Sequence, residues 1–116
     1  MNFVVTGGAG FIGSHIVDAL VESGHQVHVI DNLTTGNQGN VNPKAIFHSI
    51  DITGDQLGVV FEIAKPDIVI HHAAQIDVHT SIQQPLLDAK VNILGTLALL
   101  EQCREHKVGK LIYASS

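Results

Sequence analysis

The chain opens on a short apolar, β-branched run from Asn2 to Thr6 that passes directly into Gly7-Gly8-Ala9-Gly10, the pattern of a buried strand ending in a tight turn. From Phe11 onward apolar residues recur at Ile12, Ile16 and Leu20 and at Val17 and Val21. This is helical spacing, and Gly24 stands where a left-handed cap is wanted. Gln26 to Ile30 predicts a second strand stopping at Asp31-Asn32, and the polar, glycine-rich stretch from Thr34 to Pro43 predicts a surface connection. A third strand is expected over Ala45 to Ile50. Gly54 to Lys65 carries Leu57, Val60, Phe61 and Ala64 on one helical face, and Pro66-Asp67 stops that helix before the apolar strand Ile68 to Ile70. Ser81-Ile82-Gln83-Gln84 has the form of a capping box, predicting a helix that starts there or at Pro85 and runs to about His106. Gly109 follows that helix, and Leu111 to Ala114 predicts a fifth strand ending at Ser115-Ser116.

Strands separated by helices imply parallel neighbours, because parallel strands need crossover connections. The expected fold class is therefore α/β, a Rossmann-type doubly wound parallel sheet of about five strands. Such sheets bind ligands at the carboxyl ends of their strands, and Ser116 falls at one of those ends. The expectation is one dinucleotide-binding domain over residues 1–116, incomplete at its C-terminus, with the rest of the sheet and any substrate domain absent. In the long helix, Val91, Ile93, Leu94, Leu97, Ala98, Leu99 and Leu100 cover more than one stripe, so one side is free to meet a second subunit.

Composition narrows the function classes. Six Lys and Arg against eleven Asp and Glu give a net charge of −5, and no basic run is present, which argues against nucleic acid or an anionic membrane as partner. No apolar stretch reaches the ~20 residues of a membrane helix. Met1 leads almost directly into the first strand, without the pattern of a signal peptide, and Cys103 is the single cysteine; a cytoplasmic, reducing setting is expected. Eight histidines are scattered without the spacing of a helical zinc site, so no metal is expected.

Gly8, Gly10 and Gly13 satisfy G-x-G-x-x-G, and Gly7, Gly10 and Gly13 are also spaced three apart. The bare pattern is weak in a chain with eleven glycines; its context is what informs. The loop follows a strand, opens a helix and is followed about twenty residues on by an acid, Asp31, at the end of the next strand. Backbone N–H groups and the positive helix end attract a pyrophosphate without Lys or Arg, and residues 1–43 contain neither. Gly7, Gly10, Phe11, Ile12 and Gly13, with Asp31 and Asn32, are the candidate cofactor contacts. Asp31 accepts hydrogen bonds from ribose hydroxyls and repels a 2′-phosphate, so NAD is expected rather than NADP.

Thr6-Gly7-Gly8-Ala9-Gly10-Phe11-Ile12-Gly13-Ser14-His15, Asp31-Asn32-Leu33, Asp51-Ile52, His72-Ala73-Ala74-Gln75, Asn92-Ile93-Leu94-Gly95-Thr96 and Tyr113-Ala114-Ser115-Ser116 together resemble the extended short-chain dehydrogenase/reductase family, in particular its NAD-dependent sugar-nucleotide epimerases. The matches run along the whole chain in order and correspond to the amino-terminal part of that family. The resemblance implies that Asp51 and Ile52 contact the adenine ring, and that Ala73, Ala74 and Gln75 pass the nicotinamide half. It implies that Asn92 steadies the central helix near the site, and that Ser116, ahead of Ser115, hydrogen-bonds the reacting hydroxyl of a UDP-sugar. It also implies a homodimer through the helix near 85–106. The family's Tyr-x-x-x-Lys pair is absent, Tyr113 being the only tyrosine, and Ile76 stands where well-known 4-epimerases carry a Lys near the substrate phosphates. The reading is the cofactor half of an epimerase, inactive as 116 residues. A non-catalytic NAD-binding module and a sugar-nucleotide 4,6-dehydratase remain as alternatives.

Overall fold

A computed structural model describes residues 1–32, 38–72 and 85–113, with the side chains of 85–92 left aside. The elements in chain order are β1 (Asn2–Thr6), α1 (Phe11–Glu22), β2 (Gln26–Ile30), a single 3-10 turn (Gln38–Asn40), β3 (Ile46–His48), α2 (Leu57–Ala64), β4 (Ile68–His71), α3 (Pro85–Glu105) and β5 (Lys110–Tyr113). All five strands are parallel, in the order β3-β2-β1-β4-β5, so the chain winds outward from β1 in both directions. That order is the doubly wound topology, and it leaves a crevice above β1 and β4 where the winding reverses.

Alternation along each strand divides the core in two. Phe3, Val5, Val27, Val29 and Ile70 meet Val17 of α1 on one face of the sheet. Val4, Ile30 and Val69 meet Leu57, Val60, Phe61, Ala64 and Leu99 of α2 and α3 on the other. Near-continuous apolar strands are what a sheet covered on both faces requires.

The strand and helix bounds differ from the sequence reading in small, explicable ways. α2 starts at Leu57 rather than Gly54 because Asp51 folds the chain into a turn first: its Oδ1 accepts from the Thr53 N–H at 2.9 Å and the Thr53 hydroxyl at 2.8 Å. β4 continues one residue beyond Ile70, to His71. Gly24 does terminate α1, at φ +87°, with His25 and Gly24 donating to Leu20 and Val21 in a Schellman arrangement. At the end of α3 that left-handed position falls on Lys107 (φ +54°) instead of Gly109. Gly109 donates to the Asp67 carbonyl at 3.0 Å and so leads the chain into β5. The Ser81–Gln84 capping box lies outside the described residues. No helix among the described residues is long and apolar enough to cross a membrane.

Candidate cofactor site

The site is assembled where β1 gives way to α1. Gly7 adopts φ +74°, a conformation glycine takes without strain, and its N–H donates to the Ile30 carbonyl of β2 at 2.8 Å. Gly10 then donates back to the Gly7 carbonyl at 3.1 Å, closing the loop. A side chain at Gly13 would run into the Gly7 carbonyl oxygen and lie 2.9 Å from the Gly7 carbonyl carbon, so only glycine lets α1 rest against its own loop. A Cβ at Gly8 would lie 2.5 Å from the Val29 Cγ1 of β2. Gly10 differs: its would-be Cβ meets only the Gly7 oxygen, at 3.4 Å, so the space on its outer side is open.

Gly10 is also the N-cap of α1, with no side-chain cap and no acid in the first turn. The opening N–H groups of a helix have no partner within it, and an uncapped, acid-free terminus presents them, with the positive helix end, to an anion. Phe11 and Ile12 are both exposed there, Phe11 lying edge-on to His15.

Asp31 follows β2 directly and faces the loop. Its Oδ2 accepts the Ala9 N–H at 3.0 Å, while its own N–H donates to the His48 carbonyl at 3.2 Å. The acid expected to meet a ribose therefore also holds the middle of the glycine loop. Asn40 supports the loop from the other side, donating to the Ala9 carbonyl at 3.2 Å. Asn32 sits beside Asp31 at the same strand end.

The remaining candidates are placed less uniformly. Asp51 faces its own turn, as described above, and Ile52 is buried in the core, where Gly95 of α3 comes so close that a Cβ would lie 2.5 Å from the Ile52 Cδ1. Asn92 lies on α3, one turn before Thr96, with its side chain outside the described residues. Ala73, Ala74, Gln75, Ser116 and the alternative Ser115 fall outside the described residues altogether.

The sequence reading missed a buried polar cluster at the carboxyl ends of β1 and β4. His71 Nδ1 lies 2.8 Å from Thr6 Oγ1, and His71 Nε2 lies 3.2 Å from Thr96 Oγ1 on α3. The His72 N–H donates to Thr6 Oγ1 at 2.8 Å, and the Tyr113 ring of β5 stands 5.3 Å from that of His71. The alternation Val69-Ile70-His71 puts this histidine on the α3 face of the sheet, which was a usable signal; its partner Thr6, 65 residues away, was not readable. Burial, and secondarily the neighbouring His72, push the His71 pKa down from 6.5 to about 4, so the ring is neutral in the fold. A second pair, His28 and His48, joins β2 to β3 with 2.9 Å between ring nitrogens; burial lowers both pKa values, and His48 lowers that of His28 further.

These depressed values fix the sign of the acid response. The His71 ring is neutral when folded and takes up a proton near pH 6.5 when unfolded, so the stability it contributes is present above pH 6.5 and declines as the pH falls toward 4, and the lowered values of His28 and His48 act in the same direction. Urea midpoints are expected to fall steadily over that window, His71 alone accounting for on the order of 3 kcal/mol. A midpoint flat from pH 7 to 4.5 would contradict the assignment.

Comparison with known proteins agrees with this fold. The profile of the NAD dependent epimerase/dehydratase family matches residues 3–116. The UDP-glucose 4-epimerase of Halalkalibacterium halodurans is 43% identical over 117 residues, which is 100% of this chain and 35% of that protein. The crystal structure of Thermotoga maritima UDP-glucose 4-epimerase with UDP-glucose superposes with a TM-score of 0.96 at 45% identity, over 100% of this chain and 38% of that one. That of the Thermus thermophilus UDP-glucose 4-epimerase complex with NAD gives 0.96 at 46%, with the same coverage. The chain thus spans a little over a third of the length of these relatives. With the family profile matched along nearly its whole length, the chain belongs to the NAD dependent epimerase/dehydratase family.

Proposed function

We propose that the chain is the NAD-binding portion of a sugar-nucleotide 4-epimerase acting on a UDP-sugar, UDP-glucose being the one that the names of several relatives give. The observation that carries the reading is the junction of glycine loop, uncapped α1 and Asp31 at the carboxyl edge of β1 and β2. NAD suits this junction because the outer side of Gly10 is open to a pyrophosphate, and the acid at Asp31 suits a ribose diol. In the proposed complex the amides of Gly7, Gly10, Phe11, Ile12 and Gly13 hold the pyrophosphate, and Asp31 and Asn32 orient the adenosine ribose. Asp51 and Ile52 border the adenine, and Ala73, Ala74 and Gln75 the nicotinamide. Asn92 steadies α3, and Ser116 hydrogen-bonds the sugar hydroxyl. When bound, NAD would supply reversible hydride transfer at the sugar C4. The relatives' being 4-epimerases supports this reading over a 4,6-dehydratase or a non-catalytic module.

The chain contains no Tyr-x-x-x-Lys to remove the hydroxyl proton, so it binds NAD without turning over a sugar nucleotide. Calorimetric titration of the chain with NAD tests the first half and a coupled epimerase assay the second. Absence of NAD binding, or measurable epimerisation, would overturn the corresponding half.

Pairing of two copies rests on a separate observation. α3 exposes Ile93, Leu94, Leu97 and Leu100, and α2, packed beside it through Gly58 and Gln102, exposes Val59 and Ile63. Exposed apolar residues on two helices packed side by side suit a subunit interface. Sedimentation is expected to show a dimer that Leu97→Glu converts to monomer; a monomeric parent chain at high concentration would count against it.

A further inference from the structure

A buried histidine is an expensive way to fill a core, since an apolar ring of the same size packs without needing partners. His71 is 1% exposed, and both of its ring nitrogens are engaged. Thr6 Oγ1 accepts the His72 N–H with one lone pair, and its O–H and second lone pair let it partner Nδ1 in either tautomer of the neutral ring, while Nε2 takes the complementary role toward Thr96 Oγ1. The result is a hydrogen-bond chain that links β1, β4 and α3.

Its two ends bear on the two halves of the candidate site. Thr6 is the last residue of β1, and Gly7, the first of the glycine loop, follows it without a spacer. Thr96 follows Gly95, the point at which α3 closes on Ile52 in the loop after β3. A shift of α3 along the sheet would therefore be felt both at the start of the loop and at the Asp51–Thr53 turn, and beside the apolar packing of Leu99 on Val4 the histidine is a polar link between α3 and β1.

We propose that His71 is a positioning residue of the cofactor site, holding the glycine loop in register with α3 through the Thr6–His71–Thr96 hydrogen-bond chain. The proposal rests on the NAD-binding reading for its affinity effects, but its structural core is independent of it.

The test uses Thr96→Val, which keeps the shape and removes the hydroxyl, Thr96→Ser, which keeps the hydroxyl, and His71→Asn, which keeps a partner for Thr6 and loses the reach to Thr96. Each is titrated with NAD at a temperature where circular dichroism shows it folded. Thr96→Val and His71→Asn are expected to weaken NAD about tenfold, Thr96→Ser to stay within about twofold, and the double variant Thr96→Val/His71→Asn to be no weaker than the singles, because both cut one chain. A role in stability alone would lower the unfolding midpoint and leave the NAD affinity of the folded variants unchanged, which would overturn the proposal, as would Thr96→Ser behaving like Thr96→Val. In the ligand-free chain, amide resonances of Gly7 to Gly10 should move in Thr96→Val and not in Thr96→Ser. If the parent chain fails to bind NAD, the functional reading falls, and this second measurement alone decides the positioning role. If His71→Asn does not fold, the Thr96 pair decides it.

Discussion

Gly13→Ala is expected to abolish measurable NAD binding and to lower stability by roughly 3 kcal/mol, the upper range for forcing a methyl into filled space. The added Cβ would meet the Gly7 carbonyl oxygen, the Gly7 carbonyl carbon at 2.9 Å and the Gly8 Cα at 3.1 Å. All are backbone atoms of a loop already tied to β2 at Gly7 and to Asp31 at Ala9, so none can yield without opening the loop. Alanine's better helix propensity, about 1 kcal/mol, works in the opposite direction and is outweighed. Gly10→Ala provides the contrast. Its Cβ meets nothing closer than the Gly7 oxygen at 3.4 Å, so the urea midpoint should hardly move, while a methyl on the open side of the loop still obstructs the pyrophosphate. Urea titration and NAD calorimetry on both variants separate loop packing from ligand contact. Normal NAD affinity in Gly10→Ala would refute the cradle.

Asp31→Ala should be nearly as damaging to cofactor binding, for two reasons that add. The carboxylate is the candidate ribose acceptor, and in the ligand-free chain it already accepts the Ala9 N–H at 3.0 Å. Hydrogen bonds to a charged acceptor contribute about 1.5–3 kcal/mol each, so a loss of NAD affinity of about a hundredfold is expected. NADP should not gain what NAD loses, because no Lys or Arg occurs in residues 1–43 to meet a 2′-phosphate. Asp31→Asn isolates the charge: the amide oxygen can still accept from Ala9, so the loop stays tethered while repulsion of the 2′-phosphate disappears. Parallel titrations should show the preference for NAD narrowing in Asp31→Asn with a smaller loss of affinity than in Asp31→Ala. An unchanged ratio would remove Asp31 from the specificity argument.

What the sequence disclosed follows from the range of the interactions involved. β1, α1 and β2 were readable to the residue or nearly so, because apolar periodicity, the glycine turn and the Gly24 cap are all local signals. The same locality misplaced the start of α2, which follows the Asp51 turn at Leu57, and at the end of α3, found within a residue of its expected place, the left-handed position falls on Lys107 and not on Gly109. Asp31 was legible as a strand-end acid, yet its grip on Ala9 was not, since nothing in a side chain's identity says which amide of a loop it will reach. The histidines were the least legible. Counted along the chain they look scattered, and only the parallel register, which sets β4 beside β1 and β3 beside β2, brings Thr6 to His71 and His28 to His48.

The uncapped start of α1 has a kinetic consequence. The chain carries a net charge of −5, so at long range its field repels an anionic dinucleotide, whereas the amides proposed to receive the pyrophosphate act only within the first helical turn. Repulsion in the approach and attraction at contact separate the two rate constants. Added salt screens the former and leaves the latter, so ionic strength speeds arrival of the cofactor without shortening its stay, the reverse of what a lysine-lined phosphate site would do.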